Sequence, residues 1–497
     1  MTNYTKYAIK GALIVLILSL LAAFMGYIVR LVMARNLSVE YFGLFNAVFS
    51  FLALLGVFKS LGFDKALIKF IPEFKSENRN DLIKSSFVYV SIIQLITNSI
   101  IIILVFLLAN YLSLNFFHSE KAVIVLKILA FAFFFDNFVQ VLKFAFQGFK
   151  QMGYFAGIDL VRMIIIFIIL LIGFKLNYGL LSPVIAYTIT PLVLLFVFGS
   201  ILISKVFPEF KKARYIFDLS LLKRISLYSI HIFDTGIAAL VLYYTDILAL
   251  TYFTDLRNVG LYSVALPTAK VLMYFPRAIG GVNIPLTAEL WAKKKIELLE
   301  AGIHELYKYS LVVIVPAVFI MFSFADLLLL VLYGRNYVDG AMPLRILSIG
   351  MLFAVLYAIN IDFFAGIGQP KINSKIIFSA AIFNLIGNLI LIPLIGINGA
   401  AITTTCSYII MMVYGLMKIR GFIDVKFPIK IWMKNLFAGI ILVLIVFFLK
   451  KILFLNVWVE TGIVLILAGL CYIGLLFAMK IVKISELENI YRRLTSK

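Results

Sequence analysis

Residues 383–408 read FNLIGNLILIPLIGINGAAITTTCSY. The stretch is apolar enough to lie in lipid, yet it holds Asn384, Asn388 and Asn398, with Pro393 and the glycines Gly387, Gly396 and Gly399. Two apolar runs flank the Gly/Pro break, which reads as a tight hairpin between two membrane helices: Pro393 ends the first, Gly396 allows the turn, and Gly399 with Ala400 and Ala401 permits close packing. Asn384 and Asn388 are four residues apart and share one helix face. An amide facing lipid is costly, so that face looks toward other helices, either as hydrogen-bonding glue between them or as the lining of a polar cavity.

The same reading extends along the chain. Of its 497 residues 63% are apolar and only 14% charged, with a mean hydropathy of +1.08; a soluble domain carries about 25% charged residues. Windows of about 20 apolar residues, the length that crosses the hydrocarbon core, predict an all-α polytopic membrane protein with fourteen transmembrane helices, at roughly 9–31, 42–63, 85–110, 121–147, 154–174, 180–203, 226–252, 259–282, 309–332, 342–366, 373–394, 398–418, 431–450 and 456–480. The N-terminal run is too long for a signal peptide and ends in Arg30 and Arg35, so it is expected to stay as the first span. Loops are short and leave no room for a soluble domain.

Lys and Arg are distributed unevenly over these loops. Of 45, 31 fall on the side of the two termini and ten on the other, with Lys59, Arg162, Lys270 and Arg277 inside spans. The asymmetry puts both termini in the cytoplasm of a cell-membrane protein. It also accounts for the net charge of +21 without nucleic acid as a partner. Cys406 and Cys471 lie in apolar runs, and His118, His231 and His304 have no ligand spacing, so no disulfide framework, metal site or cofactor is expected. No G-x-x-x-x-G-K-[ST] loop and no catalytic constellation in a water-facing segment is present, so an enzyme is not expected.

The chain resembles itself at an offset of 217–220 residues. YFGLFNAV (41–48) lies over NVGLYSVA (258–265), and QGFKQ (147–151) over AGIGQ (365–369). This predicts two six-helix lobes, 1–204 and 226–418, related by a pseudo-two-fold axis along the membrane normal. A basic linker (205–225) joins them, two extra helices lie within 419–480, and a tail follows at 481–497.

The motif N-x-x-x-N-x-x-L-I-P-x-x-G-x-x-G-A-A-x-x-T, here Asn384, Asn388, Leu391, Ile392, Pro393, Gly396, Gly399, Ala400, Ala401 and Thr404, resembles the signature of the polysaccharide-export flippases of the multidrug/oligosaccharidyl-lipid/polysaccharide (MOP) exporter superfamily. Residues 34–73 and 243–272 are similar to that family as well. The resemblance implies two helical lobes around a central cavity lined by helices 1, 2, 7 and 8 and opened alternately to each side. It implies an isoprenoid-linked oligosaccharide as cargo, carried from the inner to the outer leaflet.

Ionisable residues at bilayer depth are expensive and face a cavity or a partner. Lys270 lies about 11 residues into its span, near the midplane, with Arg277 on the same face. Lys59 maps onto Arg277 under the repeat, and Arg30 onto Asp246 to within one residue. Lys270, Arg277, Lys59 and Arg30 are therefore the expected binding residues for an anionic phosphate or pyrophosphate head. Lys59, Arg277 and Arg30 also admit a simpler reading, as cations reaching to the membrane surface. Asp246 and Asp136 are candidates for gating or ion coupling, Asp246 by pairing with Arg30. Asp159 and Arg162, three apart, read as a local ion pair. Besides the cargo, the expected partners are membrane lipids and polysaccharide-assembly enzymes, and the protein is expected to be monomeric. The rival function is cation-coupled multidrug efflux in the same superfamily, kept open by Asp136 and Asp246. A lipid-linked glycosyltransferase would need an acidic metal-binding loop, and the longest loops here are short and basic.

Overall fold

The computed structural model describes residues 3–425, 427–452 and 457–482, and all regular structure among them is helical. Among the described residues twelve helices are long and apolar enough to cross a membrane. Their outer surfaces show what solvent they face: Leu107, Phe196 and Phe447 are 75%, 79% and 71% exposed. Large apolar side chains presented in this number mark a lipid-facing surface, and the chain is a multi-pass membrane protein.

The helices are α1 (Asn3–Asn36), α2 (Val39–Ser60), α3 (Phe63–Ser76), α4 (Asn80–Asn115), α5 (Ala122–Gly148), α6 (Met152–Lys175), α7 (Leu181–Ile201), α8 (Leu219–Phe253), α9 (Leu256–Lys270), α10 (Tyr274–Ala292), α11 (Ile296–Ser323), α12 (Ala325–Tyr333), α13 (Ala341–Gly366), α14 (Pro370–Ile395), α15 (Ile397–Ile419), α16 (Ile429–Ile452) and α17 (Val457–Ala478). They divide into two compact units, Met1–Ser263 with Asn388–Ile397, and Val264–Gly387 with Asn398–Lys497.

In the first unit α1 packs on α6, α5 on α4 and α7, and α2 on α5 and α8. Ser38 caps α2 by accepting from the Tyr41 N–H at 3.2 Å, and Asp218 caps α8 by accepting from the Ser220 N–H at 2.8 Å. The basic segment after α2, expected as a loop, contains the amphipathic helix α3. Its buried residues Phe63, Leu67, Phe70, Ile71 and Phe74 recur every three or four positions and seat it on α4, α5 and α8. Near the start of α2 and α9 the two helices cross closely: a Cβ on Gly43 would strike the Leu256 carbonyl, and one on Gly260 the Val39 carbonyl.

In the second unit α11 packs on α13 and α16, α10 on α13, and α16 on α17. The hairpin of residues 383–408, whose turn belongs to the first unit, forms with one correction. Pro393 does not end α14, which continues to Ile395; Gly396, at φ +58, makes the turn. The span expected at 259–282 is not one continuous α-helix. A 3-10 turn, Val271–Met273, separates α9 from α10. Pro276 lacks the N–H that would hold the Leu272 carbonyl, which is where the α-helical ladder gives way.

Candidate functional site

The charged groups inside the first unit form two clusters. The first lies among α2, α5, α6 and α7. Arg162 on α6 donates from Nη1 to Asp136 on α5, giving each an ion-pair partner 26 residues away. The expected Asp159–Arg162 pair is not formed; Lys143 reaches Asp159 at 2.6 Å instead. Position along one helix made the Asp159–Arg162 pairing available, but each side chain takes a partner from the neighbouring helix α5. Beside them Lys59, only 6% exposed, donates from Nζ to the Phe133 carbonyl at 3.3 Å and sits 4.0 Å from the Phe133 ring centroid. Such a cation–π contact is stronger when desolvated. Lys59 is therefore folded inward and does not reach for the membrane surface.

A cavity of about 160 Å³ opens at this cluster, lined by Phe49, Phe133, Asp136, Arg162, Tyr187 and Pro191 among others. Pro191 lies inside α7 and removes the N–H that would take the Tyr187 carbonyl, which loosens the ladder beside the cavity. Phe49 packs 5.1 Å from Phe133 and 5.5 Å from Tyr187, so three rings wall one side.

The second cluster joins α1, α8, α9 and the end of α14. Pro267 leaves the Ser263 carbonyl of α9 without its helical donor, and Arg30 Nη1 fills that place at 2.6 Å. Asp246 is 1% exposed; it accepts from the Tyr262 hydroxyl at 2.6 Å and from Asn388 Nδ2 at 2.7 Å. Arg30 and Asp246, placed together by the repeat, thus hold positions on and beside α9, one on a main-chain carbonyl and the other on a buried polar chain. Asn388 is fully buried and acts here as interhelical glue.

In the second unit Asn384, also fully buried, donates to Thr404 Oγ1 at 3.2 Å. Lys270 is the last residue of α9, half-buried, at the entry to the 3-10 turn. Thr268 beside it shares a hydrogen bond with the Tyr333 hydroxyl at 3.0 Å. Arg277 lies outside the residues whose side chains are described. Asp326 pairs with Arg345. Among the described residues no group of three His, Cys, Asp or Glu is placed to hold a metal ion. The sequence reading missed Tyr187 and the Asp136–Arg162 pair; the available signal was two opposite charges at similar depth on consecutive spans.

The family model for polysaccharide biosynthesis proteins matches residues 8–291, more than half of the chain. The chain belongs to the polysaccharide biosynthesis protein family. This family member is 32% identical, over the full length of both, to an uncharacterized membrane protein of Methanocaldococcus jannaschii. It is 24% identical over 220 residues to the probable low-salt glycan biosynthesis flippase Agl15 of Haloferax volcanii, covering 44% of this chain and 45% of that one. Among solved structures its fold matches the lipid II flippase MurJ in an inward closed conformation, with a TM-score of 0.75 at 16% identity, covering 97% of this chain and 99% of the other. It also matches an inward-facing multidrug-resistance MATE transporter of the MOP superfamily, with a TM-score of 0.68 at 13% identity, covering 82% and 98%. The family member thus shares its fold with both of these proteins.

Proposed function

We propose that the protein is a flippase that carries an isoprenoid-linked oligosaccharide across the cytoplasmic membrane by alternating access. The observation that carries the reading is a pair of cations inside an apolar helical unit: Lys59, buried, and Arg162, partly buried, stand with the single acid Asp136 among α2, α5 and α6. Two cations beside one acid favour an anionic cargo, and a phosphate or pyrophosphate head supplies one through charge-assisted hydrogen bonds. Lys270, Arg277, Lys59 and Arg30 bind that head, while Asp246 and Asp136 serve gating or ion coupling. The isoprenoid chain stays in lipid.

In this reading the twelve long spans are joined by α8 and by the broken α9–α10 as spans seven and eight, making fourteen. Residues 1–204 and 226–418 are two lobes linked by 205–225, α16 and α17 lie outside the repeat, and both termini are cytoplasmic. The likeness to Agl15, a probable glycan biosynthesis flippase, and to the lipid II flippase MurJ supports a saccharide-lipid cargo. Membrane lipids and polysaccharide-assembly enzymes are its partners, and it acts as a monomeric transporter with no cofactor or enzymatic step. The likeness to the MATE transporter favours a second reading, cation-coupled drug efflux. Proteoliposomes separate the two: a fluorescent isoprenoid-diphosphate oligosaccharide should change leaflet only with the protein present, and a cationic dye should not be moved. The opposite pattern rejects the flippase.

A further inference from the structure

The Arg162 cavity has chemistry that the ion pair with Asp136 does not use. Arg162 spends Nη1 on Asp136, while its Nε and Nη2 are buried and have no hydrogen-bond partner. Those two nitrogens form one edge of the guanidinium, whose parallel N–H groups match the two oxygens of a carboxylate. Arg162 is also among the residues lining a cavity of about 160 Å³, comparable to an apolar cavity of about 150 Å³ that takes up benzene, and so large enough for an acidic group on part of a ring. The lining holds one cation, Arg162, and one acid, Asp136, and Lys59 stands beside them on the Phe133 carbonyl and ring. Phe49, Phe133 and Tyr187 supply flat walls for the apolar face of a sugar.

We infer that this cavity is a subsite for the carboxylate of an acidic sugar, gripped side-on by Arg162 Nε and Nη2. The inference rests on the flippase reading only for the source of that sugar, a uronate-type residue of the cargo; the site itself is a property of the first unit. It gives the protein a means of preferring acidic over neutral saccharides, apart from the phosphate head that all such lipids share.

The test uses the full-length protein purified in detergent, with thermal unfolding and equilibrium binding read against glucuronate, glucose and inorganic phosphate at matched ionic strength. Glucuronate should give a saturable shift that glucose and phosphate do not. R162K, which retains the cation beside Asp136 but loses the fork, should weaken glucuronate at least tenfold. The double variant D136N/R162Q, which removes the pair without stranding a charge, should do the same. Absence of a glucuronate shift in the wild type, or a shift unchanged in both variants, overturns the proposal. Protection by phosphate in preference to glucuronate overturns the carboxylate assignment as well. Lipid-linked oligosaccharide transport is scored separately: retained transport with no glucuronate binding leaves the flippase standing without this subsite, and glucuronate binding with no transport does the reverse.

Discussion

Gly43 and Gly260 meet at the crossing of α2 and α9, and their contacts are reciprocal. A Cβ on Gly43 would run into the carbonyl of Leu256, and one on Gly260 into the carbonyl of Val39. Both pairs of equivalent positions, 43 with 260 and 39 with 256, differ by the offset at which YFGLFNAV overlies NVGLYSVA. Residue contacts that exchange in this way are the mark of a two-fold contact. The obstructing atoms are main chain and cannot rotate aside. Gly43→Ala and Gly260→Ala should each destabilise the protein by about 1–3 kcal/mol through overpacking. The double variant should cost less than the sum, because helices already parted for one methyl admit the second. Thermal unfolding in detergent measures this, and strict additivity contradicts the shared crossing.

The polar chain Asn388–Asp246–Tyr262 predicts an ordering of variants. Tyr262→Phe removes one hydrogen bond to a buried carboxylate, and Asn388→Ala another, each with an expected cost of about 1–3 kcal/mol. Asp246→Asn should be tolerated better than Asp246→Leu, because the amide still accepts one of the two bonds. The experiment is a comparison of unfolding midpoints; equal stability of Asp246→Leu and wild type would show that the chain does not hold α8, α9 and α14 together.

The Asp136–Arg162 pair should behave as a unit. Removing either partner leaves a charge in a largely buried place, and breaking such pairs costs up to about 3–5 kcal/mol; with side chains 16% and 27% exposed, a smaller loss is expected here. D136N/R162Q should recover most of it. A double variant less stable than the worse single would contradict the pairing.

Asp64 carries a pH dependence. It lies in the first turn of α3, outside the spans and 6% exposed. Burial pushes its carboxyl above the ordinary aspartate value, against the Lys65 N–H that donates to it at 2.8 Å. The folded chain therefore holds this proton to higher pH than the unfolded chain does. Its contribution to stability falls as pH rises from the ordinary value through the raised one and is flat above. Asp64→Asn should remove that slope and leave the protein at least as stable at neutral pH. An unchanged slope just above the ordinary aspartate value of about 4 would assign the dependence to other groups.

What was legible in the sequence was what one helix decides for itself. Apolar length announced the spans, and a four-residue spacing put Asn384 and Asn388 on one buried face. Helix α3 was legible in principle from Phe63, Leu67, Phe70, Ile71 and Phe74, but its lysines made the segment read as a loop. Pro393 looked like a stop, whereas Gly396 makes the turn, because a helix in a packed bundle can lose one hydrogen bond and continue. The choice of partners was not legible. Arg162 had Asp159 within reach on its own helix and takes Asp136; Asp246 finds Asn388, 142 residues away. Those choices depend on which helices pack together, which no local period records.

The central claim is that buried cations move an anionic saccharide lipid, and Lys270 bears it most directly. Transport is compared at equal amounts of folded protein, so that a loss of transport in the variant is not a loss of fold. The decisive measurement is translocation of a fluorescent isoprenoid-diphosphate oligosaccharide in proteoliposomes holding equal amounts of folded wild type or Lys270→Ala. The account predicts that wild type exposes the lipid to the far leaflet and that Lys270→Ala does not. Lys270→Ala transporting at the wild-type rate would contradict it.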